Sequence, residues 1–333
     1  MRIVYHLGFT RTASTILQKY VFPIHKNLNY LGCKDYRSDM GIKINQGELN
    51  EISNKYLDID IENNNIYPLK KNYSKFFSEE KVNIISGERY TSYKVISNNF
   101  REFKYLNKIL ENEKHQLSVD FLIVLRDQYD LIKSHYHAGY QSLSRFLNIK
   151  NFNQLINYYD YSKEDFSFHN SVKNNFSNIY NFKLFAETYD FYKLINNLSI
   201  NFKGANFKFL YYEDLKNNPD EFIFDFSDFL NVDRNYTKSL FSLEKKEHVL
   251  PKYKNKIEYD TNLNFKITQN SFYKKIKKFI PLKMKNFIKH KLSFHKEFSE
   301  EEDKIFSHII KNYYKENNLK FFKKTLIKNK YNY

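Results

Sequence analysis

The chain is poor in the residues that staple or punctuate a fold. It holds one cysteine, Cys33, so no disulfide can form within it, which points to a reducing compartment. Tryptophan is absent, and 7 glycines and 5 prolines in 333 residues leave no Gly/Ser linker to divide the chain. Long apolar runs are missing too. The run from Ile3 to Leu7 stops at Gly8, too short for a signal-peptide core, and nothing approaches the ~18 apolar residues of a membrane span. No grouping of His, Cys, Asp and Glu has metal-ligand spacing, so no metal is expected. The expectation is a soluble, cytoplasmic protein with one domain over 1–333, long enough to bury a sizeable core.

Arginine is missing from residues 251–333, whereas lysine is abundant: 21 lysines against 8 acids give this quarter +13 of the net +16. Such a region attracts nucleic acid, anionic lipid or acidic glycan. A genome of biased base composition would also fill a chain with Lys, Asn, Ile, Phe and Tyr. Within the quarter, Phe272, Ile276, Phe279 and Ile280 recur at helical spacing between lysines. Pro281 interrupts them, and Phe287, Ile288 and Leu292 continue. A basic helical segment over 265–298 is therefore expected. Three roles fit it: a helical pair docked with its lysines in water, peripheral contact with an anionic membrane, or a lining for the path of an acidic acceptor.

Strand and helix patterns alternate along the chain. Residues 2–7, 82–86, 119–125 and 207–212 read as strands rich in apolar and β-branched or aromatic residues. Helical patterns cover 13–21, 98–114, 129–140 and 219–230, the last opened by Asn218 as cap, Pro219 at the first position and Glu221 reaching back. The order implies an α/β fold with a parallel sheet flanked by helices. Ligands of such sheets sit beyond the carboxyl ends of the strands. That rule selects Gly8–Thr15, Gly87–Glu88 and Arg126–Ser134.

Residues 8–15, G-F-T-R-T-A-S-T, lie between a strand and a helix. Gly8 and Thr15 fit the ends of a Walker A loop, but Ala13 and Ser14 stand at its second glycine and its lysine, and the positive charge is Arg11 inside the loop. A strand-to-helix turn aims backbone N–H groups at an anion, and Ser14 and Thr15 add hydroxyls. A turn in which Thr12 merely starts the helix is the alternative. The stretch Gly8–Gln18 resembles the 5′-phosphosulfate loop of sulfotransferases that use 3′-phosphoadenosine 5′-phosphosulfate (PAPS), commonly G-x-P-K-x-G-T-T-x-L-Q. Thr10, Arg11, Ala13 and Ser14 replace that motif's proline, lysine, glycine and first threonine. The resemblance implies a P-loop-type sheet, with Arg11, Thr12, Ala13, Ser14 and Thr15 holding the phosphosulfate and Arg11 stabilising the leaving oxygen.

In F-L-I-V-L-R-D-Q-Y-D-L-I-K-S, Arg126 ends a strand and Ser134 follows about two helical turns on. An arginine offers a bidentate clamp for phosphate. Arg126, Ser134 and Tyr136 resemble the family's 3′-phosphate site, in which Gln128 replaces a customary proline. Leu210–Pro219 resembles its late strand and helix start, with Glu213 and Asp214 in structural roles. Ser86-Gly87-Glu88 resembles the Ser-x-Glu of its carbohydrate-acting members, which implies Glu88 as the base. His135 and His137 are the competing bases, as small-molecule members use histidine. The resemblance runs discontinuously over about 2–232 and loosely through 299–320. It implies sulfuryl transfer from PAPS, leaving 3′-phosphoadenosine 5′-phosphate (PAP), to a hydroxyl, expected on a glycan or glycolipid, without metal and without nucleic acid as partner. The rivals are a small-molecule kinase using ATP-Mg²⁺ on the same scaffold, and a non-catalytic protein binding nucleic acid or a membrane surface through 272–292.

Overall fold

The computed structural model describes residues 1–9, 12–33, 74–87, 100–112, 115–137, 186–242, 300–327 and 329–331. In chain order the elements are β1 (Arg2–Gly8), α1 (Ser14–Ile16) running into a π turn (Leu17–Val21), β2 (Leu28–Cys33), a 3-10 turn (Ser74–Phe76) and β3 (Val82–Gly87). There follow α2 (Arg101–Asn112), β4 (Ser118–Leu125), α3 (Gln128–His137), α4 (Phe191–Asn201) and β5 (Asn206–Tyr211). The last are α5 (Tyr212–Asn217), α6 (Pro219–Leu230), α7 (Arg234–Ser242) and α8 (Glu300–Thr325). The architecture is α/β, with a parallel sheet, flanking helices and a C-terminal helix.

The chain forms two compact units. The first comprises Met1–Arg126, Asp190–Val249 and Lys323–Lys328 and holds the five-stranded sheet, ordered β2-β3-β1-β4-β5. Every pairing is parallel. Such strands are covered on both faces, which explains why Val4, Tyr5 and Leu7, or Phe121 to Leu125, are buried without alternation. Side chains still alternate between the faces. One face is aromatic: Tyr5 stacks on Phe103 of α2 at 4.0 Å, Phe121 meets Phe202 at 5.0 Å and Phe207 at 5.4 Å. The Tyr5 hydroxyl is pinned inside this layer, donating to Asn107 Oδ1 at 2.7 Å. The other face sets Val4, Ile84 and Leu122 against Leu17, Phe22 and Phe226 from the π turn and α6. Each large ring buried in these two sheet–helix layers removes roughly 150–250 Å² from water.

Several elements depart from the sequence reading. The helix expected over 13–21 starts at Ser14 and widens after Ile16, because the Phe22 N–H reaches back to the Leu17 carbonyl at 2.8 Å. Tyr212 begins α5 instead of ending a strand, helped by Glu213 and Asp214 in the first turn. Asn218 does not cap α6 with its side chain. Its N–H is occupied by the Asp214 carbonyl at 2.7 Å, closing α5, so Glu221 meets the Asn218 side-chain amide instead, at 2.8 Å. α3 begins one residue earlier than expected; its C-terminal continuation to 140 lies outside the described residues.

The second unit comprises Asp127–Tyr189, Leu250–Phe322 and Asn329–Tyr333 and contains α3 and α8 through Phe322. Asp127 opens α3, its carboxylate accepting the Asp130 N–H at 3.1 Å. Burial holds the Asp127 carboxyl above its usual range. Gln128 is wholly buried and exchanges two amide hydrogen bonds with Asn318 of α8, at 3.1 and 2.7 Å. It also donates to the Tyr189 carbonyl at 2.9 Å. Among the described residues no helix is long and apolar enough to cross a membrane.

Candidate active site

Three candidate segments emerge from adjacent strands of one sheet. β1 lies between β3 and β4, and the pairs Leu7↔Gly87 and Gly8↔Val124 bring the three carboxyl ends level. The turn after β1, the strand leading to Glu88 and the strand leading to Arg126 therefore leave from one edge.

The turn after Gly8 is braced from within. The Thr12 hydroxyl donates to the Phe9 carbonyl at 2.5 Å, and the Ser14 hydroxyl approaches the same oxygen at 3.4 Å. Thr12 thus ties the turn to its own start and does not cap the helix. Thr12 and Ser14 are buried, while Thr15 is partly exposed. Ala13 has φ 62 and ψ 11, the left-handed conformation that glycine adopts without strain. Its backbone makes this turn despite the added methyl. Gly8 has no such latitude: a Cβ there would overlap the Ser14 hydroxyl and come within 3.2 Å of His6 Cε1. Phe9 is buried against Phe191, ring centroids 5.5 Å apart, anchoring the outgoing chain. The N–H groups at the start of α1 lack intrahelical partners, which leaves this end suited to negative charge. Thr10 and Arg11 lie outside the described residues.

Beneath the turn sits a polar group that the sequence reading missed. His6 is fully buried, with Nδ1 2.7 Å from Ser86 Oγ. Gln18, on the π turn, donates its side-chain N–H to the same oxygen at 2.9 Å. Desolvation pushes the His6 imidazole down to about 3, so it is neutral at ordinary pH. Glu88 directly follows β3 in the chain and lies outside the described residues.

Arg126 follows the end of β4, half-buried, with its guanidinium carbon 4.8 Å from the centre of the Tyr212 ring. Tyr212 is placed there because β5 ends level with β4, Leu125 pairing with Tyr211. The signal for it in the sequence is an aromatic at the end of the neighbouring strand. Ser134 is half-buried on α3, in the second unit. His135, Tyr136 and His137 complete α3, their side chains outside the described residues. The basic segment over 265–298 also lies outside them. Among the described residues no group of three His, Cys, Asp or Glu side chains is arranged to hold a metal ion.

No protein-family model matches the chain, and no curated protein matches it. Among solved structures, a sulfotransferase from Alicyclobacillus acidocaldarius is similar over 70% of this chain and 81% of its own, with 13% identity and a TM-score of 0.39.

Proposed function

We propose that the chain transfers a sulfuryl group from PAPS to an acceptor hydroxyl, on a carbohydrate or glycolipid. The observation that carries the reading is the level alignment of the carboxyl ends of β3, β1 and β4, from which the Ser-x-Glu segment, the phosphate-type turn and Arg126 all leave. In this reading Arg126 and Ser134 hold the 3′-phosphate, which distinguishes the donor from ATP. Arg11, Ser14 and Thr15, with the backbone of Thr12 and Ala13, hold the phosphosulfate. The Glu88 carboxylate takes the acceptor's proton as its oxygen bonds to sulfur. The bond from sulfur to the bridging phosphate oxygen breaks, and Arg11 balances the charge that develops on that oxygen. No part of the scheme calls for a metal.

The donor is tested by comparing PAP, AMP and ATP-Mg²⁺ in thermal unfolding. PAP at 100 times its Kd adds about 2.7 kcal/mol of stability, and Arg126→Ala removes most of that gain. Equal stabilisation by ATP-Mg²⁺ overturns the reading in favour of a kinase. The base is tested by Glu88→Gln, which is expected to bind PAP normally and to lose about 10²–10⁴ in transfer to glycan acceptors. Transfer at the wild-type rate would move the base to His135 or His137.

A further inference from the structure

The polar group under the turn is an unusual thing to bury. On the face of the sheet packed against α6, the paired residues Val4↔Ile84 are apolar, yet the next pair on that face is His6↔Ser86. Both are fully buried, and Gln18 closes over them at 4% exposure. Ser86 Oγ accepts from the Gln18 side-chain N–H and shares a second hydrogen bond with His6 Nδ1. The other ring nitrogen, His6 Nε2, is buried without a partner among the described residues. Leaving a buried polar nitrogen unmet costs its desolvation, so an apolar residue at position 6 would serve stability better. What the trio does provide is a rigid link. It joins β1 just before Gly8, β3 just before Gly87 and the helix that leaves the turn, and the His6 ring lies against the point where Gly8 and Ser14 meet.

We infer that His6, Ser86 and Gln18 act as a positioning relay, locking the turn after β1 to the end of β3 and so fixing the spacing between the phosphosulfate loop and the residue that follows Gly87. Ser86 is the hinge of the relay, because it alone bonds to both of the others. The serine of Ser86-Gly87-Glu88 then works from inside the core, as a positioning residue that touches no substrate. This deepens the proposed transfer and rests on it for the kinetic half of its test.

The first half of the test needs no donor. In long-range ¹H–¹⁵N spectra, His6 is expected as a neutral ring held in one tautomer from about pH 5 to about pH 8, with a Nδ1 resonance that moves in Ser86→Ala. Amide exchange at Phe9, Thr12–Gln18 and Gly87 is expected to rise about 10-fold in Ser86→Ala under conditions where exchange in α2 is unchanged. A His6 that titrates near 6.5, or exchange at the turn that matches wild type, overturns the relay whatever the reaction is. The second half is kinetic. Ser86→Ala and Gln18→Met are expected to keep PAP affinity within about 3-fold while kcat falls about 10²-fold, the cost of a misplaced reacting group. Ser86→Thr, which keeps the hydroxyl, restores most of it. Variants that lose stability but keep kcat overturn the relay. A wild type that ignores PAP overturns the transfer reaction instead, and the exchange result then stands alone.

Discussion

The two edges of the central sheet handle polar side chains in opposite ways. At the amino edge every prominent polar group is met by protein. Asp120 accepts from Arg2 Nε at 2.6 Å and from Asn206 at 2.9 Å, and Arg2 also donates to the Phe229 carbonyl at 2.7 Å. Asn83 bonds the Arg2 carbonyl at 2.9 Å and accepts from Asn29 at 2.7 Å. At the carboxyl edge, His6 keeps a buried ring nitrogen unmet, Ala13 holds a left-handed backbone and the first helix widens into a π turn. One edge satisfies its polar groups within the protein. The other carries local costs of the kind that accumulate at working sites.

Breaking the amino edge gives the largest expected effect. Asp120→Ala strands Arg2 and Asn206 and is expected to lower stability by about 3 kcal/mol, measured by urea unfolding, while PAP binding by the remaining folded protein is unaltered. A matching loss of PAP affinity would erase the distinction between the edges.

The carboxyl edge is expected to carry a pH dependence of its own. His6 is held far below its ordinary 6.5 in the folded chain, so only the unfolded chain gains the proton as pH falls through 6.5. The stability tied to neutral His6 is complete above that pH and is lost progressively toward about 3, where the folded form is protonated too. Between about pH 7 and about pH 5 the loss is about 2 kcal/mol. His25, lowered chiefly by burial, adds in the same direction. Equilibrium unfolding at several pH values should show a slope that shrinks in His6→Leu; an unchanged slope would mean the ring is protonated in the fold.

A smaller effect tests Tyr212. Removing the ring under Arg126 with Tyr212→Leu is expected to weaken PAP binding about 5-fold, in keeping with a cation–π contact of about 1 kcal/mol. Tyr212→Phe should stay within about 2-fold, since the ring and not the hydroxyl supports the guanidinium. The smallest expected effect has the opposite sign. Ala13→Gly relieves the left-handed strain and should raise the unfolding free energy by about 1 kcal/mol. Destabilisation by this change would mean that the methyl packs usefully.

Four strands were legible because strands buried on both faces need no polar alternation: each reads as a short apolar run. β2 was not, since Asn29 and Gly32 interrupt it and its pairing with β3 slips between Tyr30 and Gly32. α4 carried a fair signal in Phe191, Leu194, Ile195 and Leu198, with Asp190 capping Lys193 N–H at 3.0 Å. It went unread amid a long stretch of polar and aromatic residues. The strand-to-helix turn after β1 was visible from spacing, because backbone geometry there is dictated by where Gly8 and the hydroxyls fall. The trio of His6, Gln18 and Ser86 was invisible for the converse reason. A lone histidine in an apolar strand and a serine 80 residues later have no local pattern in common; only strand pairing brings them together.

The position of β1 at the centre of the sheet has a consequence for how the chain must be made. Ile3 pairs with Asn83 on one side and Arg2 with Ser118 on the other. At a synthesis rate of about 5–20 residues per second, β1 waits roughly ten seconds before its second neighbour exists. Throughout that interval Ile3, Val4, Tyr5 and Leu7, all at 0% exposure in the finished fold, have no partner strand on that side. Pairings this distant in sequence also close slowly once the chain is complete. The central strand is thus open to chaperones, or to neighbouring nascent chains, throughout that wait.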